Sequence, residues 1–345
     1  MASPHGSRSP VRPRVSFEAI GQLAELADFT VAFTLRAICH LGVADCLARG
    51  PRSIQELAEA TAAHTPSLLR AMRALTTKGI FAEPAPGQFA LTEVSELLRT
   101  DHPLSMRWAF RLRPDVEAWS AMEYSIRTGE TAFDHVYGED YWSYLSHEPE
   151  LFAQFRESQR ALTRIELQAL LRVYDWSPLE TIVDLGGNDG TFLSGLLTRF
   201  PRLSGTLMDF PCAIASAPPV LAGAGVADRI SLVTGDLLEE PIPAGADAYL
   251  AKRVLIGFSD AEIKAFIGAV LSAMRPDSKL LLLEPSSASD EMSVAMDLHM
   301  LVLGKGRVRT PAELTDLISV GGLQCEQVVD AGPLTLYEAV PARAD

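Results

Sequence analysis

Short apolar segments alternate with helical patterns through the second half of the chain, and this alternation limits the possible folds more than any other feature. The segments that read as buried strands are TIVDLGG, LSGTLMD, RISLVTGD, DAYLAKR and KLLLLEP. The segments between them have helical periodicity: TFLSGLLTRF, residues 213–224 and AEIKAFIGAVLSAM. This order predicts an α/β domain with a doubly wound parallel sheet. LQCEQVVDA and LTLYEAV, joined by Gly332-Pro333, predict a terminal antiparallel hairpin.

The first third of the chain is predicted to be mainly helical. Apolar residues recur at a helical period over 17–48, and Ser53 with Glu56 forms a capping box at the start of a second helix. Thr65-Pro66 begins a third helix, and two short strands follow around Pro86-Gly87. Helices followed by a hairpin are the order of a winged helix-turn-helix.

Two functions compete for this winged helix. A transcription regulator would read DNA with the third helix, through Arg70, Arg73 and Lys78. A structural module would use the same apolar helices to pair two subunits. Residues 1–110 carry 11 basic and 10 acidic side chains, which gives little affinity for phosphates. The pattern favours dimerisation.

The charge of the whole chain points the same way. It has 30 Lys and Arg against 44 Asp and Glu, a net charge of −14, and the acidic excess lies after residue 110. A polyanion such as nucleic acid is therefore excluded as the main partner, because phosphate binding needs clustered cations. A small cationic ligand is compatible with this balance.

The sequence also predicts where the protein resides. No apolar run approaches the 18 or so residues needed to span a membrane. Residues 1–15 contain three arginines but no apolar stretch, so they do not form a secretory signal; they are predicted to be a disordered tail, with a transit peptide as the alternative. The four cysteines are far apart and form no C-x-x-C pair, which is typical of reduced thiols. A cytoplasmic protein is expected.

Acidic residues cluster at the predicted carboxyl ends of the first three strands of the sheet. Asp184 and Asp189 lie in the glycine-rich turn VDLGGNDG (183–190), where they would repel a pyrophosphate. Asp209 ends the second strand and could accept hydrogen bonds from both hydroxyls of a ribose, and Asp236 ends the third beside apolar residues suited to an adenine. A ligand with ribose, adenine, positive charge and no phosphate fits this set, and S-adenosylmethionine has those properties. The alternative, that these aspartates are helix caps, explains one or two of them.

With these motifs, the chain resembles the class I S-adenosylmethionine-dependent O-methyltransferases of small-molecule natural products, which dimerise through a winged-helix domain. The resemblance covers residues 17–340 and rests on VDLGGNDG, MDFP (208–211), GDLLEE (235–240), ADAYLAKRVL (246–255), the acid in LLLLEP (280–285), and MDLHML followed by RT (296–310). It implies that the cofactor is bound by Asp184, Gly186, Gly187, Gly190, Asp209, Phe210, Asp236, Leu237 and Lys252.

The resemblance also implies that the chain is divided into four parts. These are the tail at 1–15, a winged-helix dimerisation domain at 16–105, a helical connector at 106–178 that contributes to a substrate pocket, and a Rossmann-like cofactor-binding domain at 179–345. The expected assembly is a homodimer, with no nucleic acid and no membrane as partner.

The general base of the family is missing. Where the family typically has L-H-D-W, with the histidine as base, this chain reads Leu255-Ile256-Gly257-Phe258, and Ile256 cannot take a proton. The supporting glutamate of a K-E-R-T segment is replaced by Val308, so that only the acid at Glu284 is kept. In this respect the chain resembles the anthracycline-modifying subset, which includes O-methyltransferases without a base and a relative that supports hydroxylation.

Three further side chains are candidates for catalysis or substrate binding. Glu284 is the acid that is kept, His299 lies on a helix with Met292, Met296 and Met300, and Arg156 falls near a position where relatives often place an apolar pocket residue. The methionines share one helix face and would form either core or an adaptable pocket wall. Arg156 would either orient a carboxylate or carbonyl of a substrate or lie on the surface. No histidine has a second ligand at metal-binding spacing, so no metal is expected.

The function expected from these features is methylation of an aromatic or polyketide-like small molecule at O, C or N, by proximity and orientation. The alternative is a family member that binds the cofactor but catalyses another reaction, such as hydroxylation, decarboxylation or a pericyclic cyclisation. A winged-helix regulator is the third possibility.

Overall fold

A computed structural model describes residues 16–285 and 291–342. The chain divides into two compact units, Met1–Thr100 and Asp101–Asp345. The tail predicted for residues 1–15 lies outside the described residues.

The first unit is a small helical domain with a three-stranded sheet. Its elements are α1 (Phe17–Leu26), α2 (Thr30–Leu41), α3 (Val43–Cys46), β1 (Arg52–Ser53), α4 (Ile54–Thr61), α5 (Thr65–Thr76), β2 (Phe81–Ala85), β3 (Gln88–Leu91) and α6 (Glu93–Glu96). The strands pair antiparallel in the order β1-β3-β2. The capping box of Ser53 and Glu56 begins α4, as predicted. Helices followed by a β-hairpin confirm the winged-helix arrangement.

The single helix predicted over 17–48 is wrong: the structure has three. α1 ends at Leu26 and α2 begins at Thr30; between them the carboxylate of Asp28 accepts a hydrogen bond of 2.7 Å from the amide of Thr30. Gly42 has a φ of 72° and ends α2, because a left-handed residue cannot continue a right-handed helix. The apolar periodicity runs across both breaks, so it does not reveal them.

The second unit begins with a helical segment and continues into the α/β sheet. Its helices before the sheet are α7 (Arg113–Ser120), α8 (Met122–Thr128), α9 (Ala132–Tyr137), α10 (Tyr141–His147) and α11 (Pro149–Val173), preceded by a 3-10 turn at Arg107–Phe110. The remaining elements are β4 (Thr181–Leu185), α12 (Thr191–Arg199), β5 (Ser204–Asp209), α13 (Pro211–Ile214), α14 (Ala217–Gly223), β6 (Ile230–Thr234), β7 (Ala248–Lys252), α15 (Asp260–Ala273), β8 (Lys279–Glu284), α16 (Glu291–Leu303), α17 (Pro311–Val320), β9 (Leu323–Asp330) and β10 (Thr335–Pro341). Two further 3-10 turns lie at Ala227–Arg229 and Leu255–Gly257.

The strands form one seven-stranded sheet in the order β6-β5-β4-β7-β8-β10-β9. The first five in this order are parallel, and β10 pairs antiparallel with both β8 and β9. The five predicted strands and the terminal hairpin are confirmed. The chain runs outward from β4 in one direction through β5 and β6, and in the other through β7 and β8. Ligands of doubly wound sheets bind at the carboxyl ends of strands at this switch point.

Both faces of the sheet are covered, which explains the continuous apolar strands. In β8, Leu281 and Leu283 pack into one cluster, with residues of α11, α12 and α14. Leu280 and Leu282 pack into the other, with residues of α15 and α17. A strand buried on both sides needs apolar residues at every position, so that polar side chains are displaced to the strand ends.

Candidate functional site

The turn after β4 brings the backbone close to the switch point. Gly186 and Gly190 have φ values of 74° and 76°, where residues with a β-carbon are strained. A β-carbon at Gly187 would lie 2.3 Å from Oδ2 of Asp184, and one at Gly186 would lie 2.7 Å from the Val254 side chain. The glycines are therefore required by the protein itself: they let the turn pass over the Asp184 carboxylate.

Asp184 has an unpartnered oxygen at the centre of this edge. The residue is 1 % exposed, and its Oδ2 has no hydrogen-bond partner within the described part of the chain. Burial raises the pKa of Asp184 to about 7; the positive charge of Lys252 opposes this rise and the nearby Asp209 adds to it. A buried carboxylate oxygen without a donor is unfavourable, so a cationic or hydrogen-bonding ligand would be stabilised here.

Asp209, at the end of β5, faces the same turn. Its Oδ2 accepts a 2.7 Å hydrogen bond from the amide of Asn188, and its Oδ1 accepts a 2.6 Å bond from the amide of Phe210. Burial raises the pKa of Asp209 to about 6, against the effect of these two bonds. Since a carboxylate oxygen has two lone pairs, each oxygen can accept a second bond. The two amides fix the carboxylate in place for that purpose.

Asp236 and Leu237 follow the third parallel strand. Oδ1 of Asp236 accepts a 2.8 Å bond from the amide of Leu238, which holds the turn. Leu237 is buried, and its Cδ1 would lie 3.5 Å from a β-carbon on Gly186. An apolar side chain thus lies beside the glycine turn, next to the acids.

Asp189, one of the four acids predicted to surround the ligand, has partners within the protein on both of its oxygens. Its Oδ1 accepts bonds from the amide and hydroxyl of Thr191, at 3.1 and 2.6 Å, and its Oδ2 lies 2.9 Å from Nε of Arg160. The carboxylate therefore binds Thr191, the first residue of α12, and pairs with an arginine, although the N-cap residue of α12 is Gly190. Three acids rather than four remain for a ligand.

Lys252, at the end of β7, is held by an acid that the sequence analysis missed. Its Nζ lies 2.9 Å from Oε2 of Glu166, whose Oε1 lies 2.6 Å from Nε of Arg253. The Glu166 side chain is fully buried in α11. The sequence of α11 does not predict the pair of Glu166 with Lys252. A glutamate on the inward face only interrupts the apolar pattern of the helix and does not indicate a partner.

The two family positions that have lost their polar residues meet in the structure. Ile256 and Val308 are both buried and line one small cavity together with Glu284. Oε1 and Oε2 of Glu284 accept bonds from the amides of Leu255 and Ile256, at 2.8 and 3.2 Å. Burial raises the pKa of Glu284 to about 7, and these amides and the charge of Arg253 oppose the rise. The contacts give Glu284 the role of holding the turn at 255–257.

His299 is placed in a way that does not suit a general base. The indole Nε1 of Trp119 donates a 3.1 Å bond to Nδ1 of His299, so that this nitrogen is the acceptor and the neutral ring carries its proton on Nε2. Nε2 lies 3.9 Å from Oδ2 of Asp115. Both ring nitrogens face protein groups, so the ring links α16 to α7.

The methionine stripe on α16 is not in the core. Met292 is 64 % exposed, and Met296 and Met300 are half-buried. The core alternative for this stripe is therefore wrong; only Val302 and Leu303, at the end of α16, are buried.

Residues 16–285 and 291–342 hold neither a metal-type cluster nor a membrane-spanning helix. These ranges bring together no group of three His, Cys, Asp or Glu side chains that could hold a metal ion. They also contain no helix that is both long and apolar enough to cross a bilayer.

The fold and this edge define a class of protein. A doubly wound sheet whose switch point combines a glycine turn with carboxylates is typical of a nucleoside-binding domain, and the arginine at this turn, Arg160, is paired with Asp189. Two family models match the chain: the O-methyltransferase domain over residues 119–324 and the O-methyltransferase dimerisation domain over residues 24–101. The chain belongs to the O-methyltransferase family.

Curated relatives of known role are similar over most of the chain. The phenazine O-methyltransferase PhzM of Lysobacter antibioticus is 34% identical, over 92% of this chain and 95% of its own. The O-demethylpuromycin-O-methyltransferase of Streptomyces alboniger is 36% identical, over 88% and 84%. The aclacinomycin 10-hydroxylase RdmB of Streptomyces purpurascens is 30% identical, over 91% and 87%.

Solved structures match the fold closely. The crystal structure of LaPhzM superposes with a TM-score of 0.89 at 34% identity, over 95% of this chain and all of that one. The neocarzinostatin-pathway O-methyltransferase NcsB1, in complex with S-adenosylmethionine and 2-hydroxy-5-methyl naphthoic acid, superposes with a TM-score of 0.80 at 31% identity, over 93% and 98%.

Proposed function

We propose that this protein is an S-adenosylmethionine-dependent methyltransferase that acts on an aromatic or polyketide-like small molecule. The observation that carries the proposal is the unpartnered Oδ2 of the buried Asp184, beside the amide-fixed carboxylate of Asp209. This edge favours a positively charged nucleoside: its glycine turn offers close approach, and the arginine at the turn, Arg160, is already paired with Asp189.

The cofactor-binding residues of the sequence analysis fit this ligand. Asp209 would accept bonds from the ribose hydroxyls, Asp236 and Leu237 would border the adenine, and Asp184 would face the cationic amino-acid portion across Gly186, Gly187 and Gly190. Phe210 lends its amide to Asp209. Lys252 acts through its pair with Glu166, which orders the end of β7. When bound, S-adenosylmethionine supplies an electrophilic methyl group on its sulfonium.

The chain's own residues contribute orientation rather than proton transfer at the acceptor. Ile256 and Val308 make the expected base position apolar, and Glu284 is occupied by backbone amides. A general base is worth about 10²–10⁴-fold, whereas orientation can supply about 7–11 kcal/mol. Methylation of an acidic phenol, an amine or a nucleophilic carbon therefore remains feasible without a base.

A non-methylating reaction is the alternative. The missing base favours it, and so does the 30% identity to a hydroxylase. A winged-helix regulator has less support, since Arg73 on α5 is 3.1 Å from Glu83 on β2 and is thus neutralised. The exposed apolar residues of α1 and α2, such as Phe17 and Leu26, support a homodimer formed through the first unit.

The experiment that tests the proposal measures stoichiometry. The protein is incubated with S-adenosylmethionine and aromatic acceptors, and S-adenosylhomocysteine and product are quantified together. A one-to-one ratio is expected. Product without equivalent S-adenosylhomocysteine would replace methyl transfer by the alternative.

A further inference from the structure

One face of α11 follows the carboxyl edge of the sheet. Arg160 on this helix pairs with Asp189 in the glycine turn, and one turn further on Thr163 and Glu166 both contact Lys252, at 3.4 and 2.9 Å. Residues three and four apart lie on the same face of a helix. Arg156, four residues before Arg160, therefore belongs to this face.

Arg156 differs from the other charged residues of this face because it has no partner. Across residues 16–285 and 291–342 it makes no hydrogen bond and no ion pair, and its Nε is buried without an acceptor. Its guanidinium lies over the ring of Phe152, with Cζ 5.5 Å from the ring centroid. A buried donor left without an acceptor is unfavourable, so this arrangement favours a ligand that supplies an acceptor.

The surroundings place this cation next to the cofactor edge. Phe152, whose ring lies under this guanidinium, belongs to one hydrophobic cluster with Ala213 of α13, and Cys212 packs against that cluster. Cys212 lies in α13, three residues after Asp209. The guanidinium of Arg156 thus lies on a ring that packs beside α13, the helix that follows the strand end proposed to bind the ribose.

Aromatic rings border the same place. Phe152 packs against Phe155 at 6.3 Å between ring centroids, and Phe155 packs edge-on against Trp142 at 5.4 Å. Trp142 is 45 % exposed, so this aromatic cluster opens to solvent. Flat rings beside an unpartnered guanidinium suit an aromatic ligand that carries an anion.

We propose that Arg156 binds a carboxylate on the aromatic acceptor and so selects hydroxyaryl carboxylic acids. The inference rests on the methyltransferase function proposed above. A planar guanidinium matches a carboxylate with two parallel hydrogen bonds. A neutral carbonyl would leave the guanidinium charge uncompensated.

The test uses an ortho-hydroxynaphthoic acid and its methyl ester as matched probes. Wild type, Arg156→Met, Arg156→Lys and a control, Arg127→Met, are compared; Arg127 is exposed on α8 and pairs only with Glu123 among described residues. Binding is measured by calorimetry in the presence of S-adenosylhomocysteine, and KM and kcat are measured with S-adenosylmethionine.

The expected result separates the probes. Wild type should bind the acid at least about tenfold more tightly than the ester, Arg156→Met should abolish this preference, and Arg156→Lys should keep part of it, since a lysine keeps the charge but loses the paired geometry. The affinity for S-adenosylhomocysteine and the behaviour of Arg127→Met should not change.

Three results would overturn the inference. These are equal binding of acid and ester by wild type, an equal loss for both probes in Arg156→Met, and a loss of S-adenosylhomocysteine affinity in that variant. An equal loss for both probes with a shifted pH profile would assign Arg156 to the ionised hydroxyl instead. Binding is measured without turnover. A failure of methyl transfer alone therefore contradicts the proposed function but not the role of Arg156 in binding a carboxylate.

Discussion

Buried carboxylates occur in two regions of the second unit, and their partners differ. At the cofactor edge, one oxygen of Asp184 has no donor among the described residues. At the expected base position, both oxygens of Glu284 accept bonds from the backbone, and its neighbours Ile256 and Val308 are apolar. Burial alone therefore does not identify a functional acid. What distinguishes Asp184 is the buried oxygen that has no hydrogen-bond donor.

The largest effect is expected at Asp209, where one substitution tests whether the acids of the cofactor edge bind the ligand. Asp209→Ala removes the acceptor for both ribose hydroxyls, and bonds to charged groups are worth about 1.5–3 kcal/mol each. S-adenosylmethionine binding should weaken by about 100-fold or more in calorimetry. Asp228→Ala, at an exposed aspartate of the same half of the sheet, is the control and should bind normally. Unchanged affinity in Asp209→Ala would contradict the ribose assignment.

Replacing Asp184 is expected to change the stability of the free protein and its affinity for the cofactor in opposite directions. Because burial raises its pKa to about 7, the fold favours the protonated form, and the stability of the free protein falls as pH rises from the ordinary value of 3.8 through about 7. Asp184→Asn removes this titration, so at pH 8 it should stabilise the free protein by on the order of 1–3 kcal/mol while weakening cofactor binding. Denaturant unfolding at pH 8 and pH 4.5 measures the difference, which should be much smaller at the lower pH because 4.5 lies close to the ordinary pKa of 3.8. Loss of binding without the gain in stability would mean that the carboxylate is satisfied in the free protein.

The same two acids predict how the affinity for a cation depends on pH. Asp209 and Asp184, with pKa values of about 6 and about 7, must ionise to attract a positive ligand. The dissociation constant of S-adenosylmethionine should fall by about tenfold or more from pH 5.5 to pH 8 and level off above that. Asp184→Asn should leave only the lower step. A constant affinity across this range would place the cofactor's charge elsewhere.

How far the sequence could predict this site depends on what each pattern encodes. Strand ends and glycine turns are local, so Asp184 and Asp209 could be located from the sequence. Partners are not local: Glu166 reaches Lys252 across 86 residues of chain, and Arg160 reaches Asp189 across 29. The break between α1 and α2 also escapes prediction, because apolar periodicity does not record the bond between Asp28 and the amide of Thr30. The roles of the site residues themselves stay predictions.

A substitution of Glu284 tests the second region, the expected base position beside Ile256 and Val308. Glu284→Gln replaces one acceptor by an NH₂ donor that would face an amide, so the protein should lose about 1–3 kcal/mol of stability. If the carboxylate only holds the turn at 255–257, the shape of the pH profile of product formation should stay as in wild type. Glu284→Asp, which keeps the charge but shortens the reach, is the companion variant. A profile whose limb near pH 7 disappears in Glu284→Gln would assign proton transfer to this acid.

The smallest effect is expected from restoring the missing base. Ile256→His places an imidazole at the small cavity that Val308 also lines, but Glu284, already bound to two amides, is poorly placed to orient it. The gain should therefore be about tenfold, below the usual 10²–10⁴-fold of a positioned base, and limited to phenols that are neutral at the assay pH. Rates for a neutral and an acidic phenol, with Ile256→Leu as the packing control, separate base catalysis from altered shape. An equal gain for both phenols would show that the cavity, rather than the absent proton acceptor, limits the reaction.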